Sequence, residues 1–346
     1  RIDDWPLMSI FLDACSGDST PYTPIWLNRQ AGRYMPEYHA LKGDTSSLEF
    51  FKNPVLAAKA TLDAQRILGV DAAIMFADLL PVLEPMGLNL DYKPGLGPVF
   101  ENPLRDQQAI EALTVVPAEE GCGYVVETLG RILDDLPKEV ALIGFAGAPF
   151  TLACYAVEGK SSRNYAYVKR LMYDREELWQ SLMDKLVDTV ADYVRLQIAS
   201  GAQAIQLFDS WVGCLSLADY ERYVAPATRR LMRSIRGQVP IIYFGTGNAH
   251  LLDSMYATGP DLMALDWRVP LVATWDRLGS RAIQGNLDPI ALCGHSSSMI
   301  SQAQTLLREV GERPGHIFNL GHGIVPDTPV DNVKRLVDFV HEETVR

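Results

Sequence analysis

Arg29 and Arg33 stand four residues apart in the segment Arg29-Gln30-Ala31-Gly32-Arg33-Tyr34. In a helix or tight turn that spacing brings both guanidiniums to one side, where their planar forks suit carboxylates or phosphates. A solvated surface pair is the competing reading. Asp78 is a lone carboxylate within the apolar stretch from Ala73 to Leu80. Burial would raise its pKa and neighbouring cations or N–H donors would lower it, so it is a helix cap, a structural ion-pair partner or a group employed in chemistry. His322 lies between Gly321 and Gly323, and such glycines let a backbone approach a ligand closely. A turn histidine satisfied by backbone groups is the plainer account. Tyr155 reads either as a rim hydroxyl or as a core aromatic. Several chemistries lack support. No second carboxylate adjoins Asp78, which weakens a two-carboxylate glycosidase reading. The six histidines form no H-x-H, H-E-x-x-H or H-x-C pattern and the cysteines no C-x-x-C pair, so no metal site is expected. Gly159-Lys160-Ser161 has Cys154 where a phosphate loop needs its first glycine, and no G-x-S-x-G elbow exists.

Residues this scattered act together only if a fold collects them. Eight short apolar runs alternate with segments of helical periodicity: 24–29, 71–76, 141–147, 204–210, 241–247, 262–267, 282–288 and 316–323. Helices are expected over 54–68, 123–136, 176–199, 217–236, 297–310 and 329–343, where apolar residues return every three or four positions. Eight βα units are what a (β/α)8 TIM barrel requires, and with no linker or low-complexity tract one domain over residues 1–346 is expected. Catalysis in that fold sits where strands end. Arg29, Gln30, Arg33, Asp78, Tyr155, Asp209, Ser210, Asn248, His250, Asp266, Asn286, Asp288, Asn319 and His322 all lie in the closing part of the expected strands or after them. The long interval between Leu79 and Val140 holds an irregular Pro- and Gly-bearing part before the helix expected over 123–136, and that part is expected to form a loop over one barrel mouth.

Composition narrows the function classes. A chain 48% hydrophobic and 21% charged buries a large core, which excludes a disordered protein. The net charge of −12 argues against general binding to nucleic acid or anionic membranes, so an anionic ligand must meet local cations. Five scattered cysteines suggest a reducing compartment. The 18-residue uncharged run from Val140 to Val157 is interrupted by Gly144, Gly147 and Pro149, and it is read as a buried strand and its loop rather than a membrane span. The start, Arg1 to Pro6, has no secretory signal pattern.

The segment Arg29 to Tyr38 is similar to the N-terminal signature of the uroporphyrinogen decarboxylase family. Gly144 to Leu152, continuing through Tyr155 to Gly159, resembles that family's second signature. Phe76-Ala77-Asp78, Phe208-Asp209-Ser210-Trp211, Leu265-Asp266-Trp267, Gln284 to Pro289 and Asn319 to Gly323 extend the resemblance over nearly the whole chain. The resemblance implies a TIM barrel, usually a homodimer, that removes CO2 from the four acetate side chains of uroporphyrinogen III to give coproporphyrinogen III in heme biosynthesis, with no cofactor and no metal. It implies that Arg29, Gln30, Arg33, Lys42, Phe208 and Ser210 bind the substrate and that Asp78, Tyr155 and His322 serve catalysis, with Asp78 engaging the pyrrole N–H groups.

Three positions depart from the family pattern: Lys42 where Arg is common, Asn28 for Met, and Ala77 for Ser. The stretch around Phe208 looks bacterial rather than plastidic, so a cytoplasmic location is expected, with the plastid stroma the alternative if a transit peptide has been removed. Two other readings stand beside this one: a corrinoid-linked methyltransferase of the same fold, which would carry a zinc-binding His/Cys set, and a non-catalytic tetrapyrrole binder.

Overall fold

The computed structural model describes residues 9–346. The reading of Arg1 to Pro6 falls outside the described residues. The sheet contains seven parallel strands in the order β1 (Ala72–Ile74), β4 (Ala141–Gly147), β5 (Ala204–Asp209), β6 (Ile241–Gly245), β7 (Leu262–Ala264), β8 (Ile283–Gln284) and β9 (His316–Ile317). The sheet is curled, and every strand pairs with the next in sequence around it. An antiparallel hairpin, β2 (Leu90–Lys93) and β3 (Gly97–Phe100), stands apart from it.

Two expectations are corrected here. The segment 24–29 is not a full strand, and the sheet is not a closed eight-stranded barrel: Ile25 makes a single parallel bridge to Phe318. It also accepts the Asp71 N–H at 2.9 Å, so it spans the gap between the sheet edges at β1 and β9. Pro24 has no N–H to extend a ladder, and Arg29 leaves it by adopting φ 61°. The Pro- and Gly-bearing part of the interval 79–140 is likewise not a plain loop, because the hairpin β2–β3 lies within it ahead of the helix Tyr124–Asp135. Tyr92 and Val99 supply the strand-forming side chains there.

Helices fall close to the periodic segments, with Pro54–Leu68 and Glu176–Ala199 at the expected limits. The segment 217–236 breaks, however, into a wide turn at Tyr220–Val224 and a helix Ala225–Ile235. Pro226 explains the break, since it removes a donor from the continuous helical ladder. The uncharged run from Val140 becomes β4, buried along its whole length, and the helix Pro149–Glu158. Gly144 is required within β4. A Cβ there would lie 2.5 Å from Gln197 Oε1, whose amide accepts from Phe145 N and donates to Phe145 O at 2.9 and 2.8 Å. Among the described residues no helix is long and apolar enough to cross a membrane, and all five cysteines are free.

At the end of the sheet where the strands begin, Asp71 ties three segments together. Its carboxylate accepts from Ile25 N at 2.7 Å, Tyr22 Oη at 3.2 Å and His341 Nε2 at 2.8 Å on the last helix, Val330–Glu343. Asp71→Ala leaves the buried Ile25 N–H without an acceptor, a cost of about 1–3 kcal/mol. Urea unfolding should register that loss, while turnover per folded molecule stays near the parent value because the site lies at the opposite end.

Candidate active site

Beyond β1 the chain reaches Asp78 along a segment fixed from outside. Phe76 N donates to Thr61 Oγ1 at 2.8 Å, and the Phe76 ring packs edge-on to Phe50 at 5.2 Å. Asp78 is half-buried, and its Oδ1 accepts the Leu80 N–H at 3.1 Å. Burial pushes the carboxyl above the usual carboxylate range. The Leu80 N–H, the Tyr92 hydroxyl, the Arg29 guanidinium and the Leu79 N–H pull against that rise.

Arg29 is exposed and sits in the left-handed region at φ 61°, a conformation costing a non-glycine residue about 1–2 kcal/mol. The surroundings enforce it. Gln30 is buried, and its amide accepts from Leu27 N and donates to Ala72 O, both at 3.0 Å. Its side chain therefore holds the turn that presents Arg29. Asn28, one of the departures from the family pattern, joins a polar chain through the interior of the sheet. Its Oδ1 accepts from Gln206 at 3.0 Å, Gln206 accepts from Gln284 at 2.9 Å, and Gln284 accepts from Trp26 Nε1 at 2.9 Å. A Met could not close that chain. Among the described residues neither the Arg29 nor the Arg33 guanidinium has an ion-pair partner.

Arg29 is the hub of the site, because its charge acts on Asp78, Tyr155 and His322 alike. Tyr155, on the helix Pro149–Glu158, has its hydroxyl pushed up to about 12 by burial and by Asp78, so it is a protonated donor at neutral pH. His322 Nδ1 accepts the Gly323 N–H at 2.7 Å, which leaves the proton of the neutral ring on Nε2. Burial and the Arg29 charge hold the imidazole below its ordinary pKa. Gly321 is sterically required, since a Cβ there would fall 2.1 Å from Trp267 N, while a Cβ on Gly323 would fall 2.4 Å from Cδ of the Arg29 side chain and displace it.

An aromatic wall borders these groups. Phe208, at the end of β5, meets Phe145 and Phe244 edge-on at 5.9 and 5.8 Å, and Phe244 lies 6.5 Å from the His322 ring. Ser210 follows, half-buried, with its carbonyl accepting Thr246 Oγ1 at 2.7 Å. Asp209 between them is buried beneath the wall. It accepts from Thr151 and Tyr243, each at 2.7 Å, and burial pushes it up to about 6, so its place is structural. Lys42 donates to Thr45 O at 2.5 Å, a local bond at the end of the helix Pro36–Lys42.

Sequence reasoning gave no site role to three neighbours. Tyr92 reaches Asp78 from the hairpin. Trp267 faces His322 at 6.2 Å. Arg268 lies over Trp267 at 4.1 Å and is braced on the buried Asp266 by Nε–Oδ1 and Nη2–Oδ2 contacts of 3.0 Å. An aromatic–cation pair directly after a strand-end acid was the available signal for the last two; a hairpin hidden in an apparent loop left none for Tyr92. Among the described residues no group of three or more His, Cys, Asp or Glu side chains is placed to hold a metal ion.

The uroporphyrinogen decarboxylase (URO-D) family model matches residues 7–343. A uroporphyrinogen decarboxylase of Koribacter versatilis is 50% identical over 337 residues, covering 96% of each chain. One of Sorangium cellulosum is 49% identical over 333 residues, covering 96% of this chain and 95% of its own. Among solved structures, a methyltransferase from Methanosarcina mazei superposes with a TM-score of 0.82 at 19% identity, covering 98% of this chain and 99% of its own. That last likeness is one of fold.

Proposed function

The chain belongs to the uroporphyrinogen decarboxylase family, and from that premise we propose how its residues carry out the family's carboxy-lyase reaction on uroporphyrinogen III. The observation that carries the proposal is the gathering of Asp78, Tyr155 and His322 around one unpaired guanidinium, Arg29. Methyl transfer is not favoured, since relatives near half identity bear the decarboxylase name and the methyltransferase likeness is 19% identical.

Losing CO2 from an acetate on a pyrrole leaves an electron pair that needs a sink. Protonating the ring carbon beside the acetate makes the pyrrole cationic. The C–CO2 bond then breaks, its electrons neutralise the ring, and an exocyclic methylene forms. A proton added to the methylene and one lost from the ring carbon complete the exchange of CO2 for hydrogen. Asp78 would accept the pyrrole N–H groups and stabilise the cation through a fixed charge. Arg29 and Arg33 would bind the substrate carboxylates bidentately. The Tyr155 hydroxyl and His322 Nε2–H are two further donors at the reacting face, and Phe208 packs against the macrocycle with Ser210 at its edge. Lys42 would offer a point charge to a substrate carboxylate, without the bidentate geometry of the Arg common there, on leaving its bond to Thr45 O. Gln30 supports the turn.

The same reading treats the curled sheet, with Ile25 bridging its edges, as a (β/α)8 barrel whose first stave is reduced to one bridge, forming one domain over 1–346. The bacterial relatives support a cytoplasmic location, and a homodimer is proposed from the family resemblance alone. Anaerobic incubation with uroporphyrinogen III, followed by oxidation and chromatography of the porphyrins, tests the function. Products losing one to four carboxylates in succession, ending at coproporphyrin, are expected; an unchanged octacarboxylate would remove the assignment.

A further inference from the structure

The hairpin β2–β3 places one polar group where the chemistry just described has no role for it. Tyr92 is half-buried, and its ring packs edge-on to Phe51 at 5.4 Å. Its hydroxyl is fully buried and has no hydrogen bond of ordinary geometry. A buried donor without an acceptor is unfavourable and needs a reason. The Phe51 ring that Tyr92 packs against also packs on Phe76 at 5.7 Å, two residues before Asp78, and Asp78 and Tyr92 perturb each other. Burial and the neighbouring Asp78 charge hold the phenol far above its ordinary pKa, so it keeps its proton and remains a donor. Pairing of β2 with β3, Tyr92 opposite Pro98, fixes the residue that carries this ring.

We propose that Tyr92 is a positioning residue for Asp78: a small tilt of its ring brings the hydroxyl onto the carboxylate, holding it charged and aimed at the ligand. The inference rests on the proposed role of Asp78. The carboxylate is then gripped from opposite sides of the chain, by the Leu80 N–H at 3.1 Å on its own turn and by Tyr92 from the hairpin. Arg29 supplies the nearby positive charge, Tyr155 faces it from the helix Pro149–Glu158, and Glu84 stands beyond Tyr92. Arg29 makes no salt bridge to Asp78 among the described residues, and as an exposed cation it is left for the ligand's own carboxylates.

The sign of the pH effect follows. Asp78 must be ionised, and activity is lost as pH falls through its raised pKa. The hydroxyl favours the ionised form, so removing it moves that pKa further up. Tyr92→Phe keeps the ring and its contact with Phe51 and deletes only the hydroxyl, so the fold should be retained with a nearly unchanged Tm. The acid limb of the kcat/KM profile should shift to higher pH by on the order of one unit, and kcat should fall about tenfold with KM little changed. In an Asp78→Asn background the same substitution should cost no further activity, since the group it acts through is already gone. A Tyr92→Phe profile that superimposes on the parent's would overturn the proposal, as would a tenfold loss that persists undiminished in the Asp78→Asn background. Failure of the parent enzyme on uroporphyrinogen III would instead strike the functional reading beneath it, so the two are told apart.

Discussion

Asp78→Asn is expected to lower kcat by a factor on the order of 100 or more, with KM changed far less, while the protein stays folded. Asn keeps Oδ1, which accepts the Leu80 N–H at 3.1 Å, so the local turn survives and only the charge is lost. The prediction extends to stability. The folded-state pKa of Asp78 is raised, chiefly by burial, so its contribution to stability is fully present below the unfolded pKa near 3.8 and is lost as pH rises through the folded value. At neutral pH the charge is therefore held against the preference of the fold, which is what a group retained for chemistry would show. Asp78→Asn should accordingly melt at or above the parent Tm at pH 7, and the difference should shrink in acid. Were Asp78 only a cap, the pattern would reverse, with a lower Tm after Asp78→Ala, about 1 kcal/mol in stability, and normal turnover in the folded fraction. Steady-state kinetics beside thermal melts at two pH values separate the two.

What could be read from the sequence followed the strength of each local signal. The helix Glu176–Ala199 was legible to its ends because Trp179, Leu182, Met183, Leu186, Val190 and Val194 return on one buried face, a period that no strand shares. β4 was legible because an unbroken apolar run with Gly144 fits only a strand buried on both sides. The last strands were overestimated. β8 and β9 are two residues each; past Asn286 and Asn319 the pairing resumes only as an isolated bridge between Leu287 and Leu320, and apolar periodicity does not register that interruption. In the site, Arg29, Asp78, Tyr155 and His322 were singled out from residue type, place near strand ends and the family resemblance, and the Arg29 charge bears on the other three. Gln30 was named for the ligand, yet both ends of its amide engage Leu27 and Ala72, a pairing that depends on contacts 42 residues apart. Tyr92 was invisible for the same reason, since only the hairpin fold brings it to Asp78.

Arg29 carries the second large effect, because one residue combines strain and function. Its φ of 61° is a conformation that glycine adopts freely and arginine does not. Persistence of strain at a point where an unpaired cation meets Asp78, Tyr155 and His322 implies that the side chain is needed there. Arg29→Ala and Arg29→Gly both remove the cation, and each should raise KM by roughly 10–100-fold through loss of a charge-assisted, bidentate contact with a carboxylate. Their stabilities should differ. Arg29→Ala keeps the left-handed strain, whereas Arg29→Gly relieves it and gives back part of the gain in unfolded-chain entropy, for a net advantage of ~0.5–1 kcal/mol over Ala in urea unfolding. Arg29→Lys should fall between parent and Ala in KM, since an ammonium retains charge without the fork. Raising ionic strength should weaken substrate binding in the parent more than in the Ala and Gly variants, because a chain of net charge −12 attracts a polyanion only through such local cations. Identical KM values and identical salt slopes in parent, Ala and Gly proteins would place Arg29 outside the substrate contact and leave its strained backbone to be explained by Gln30 alone.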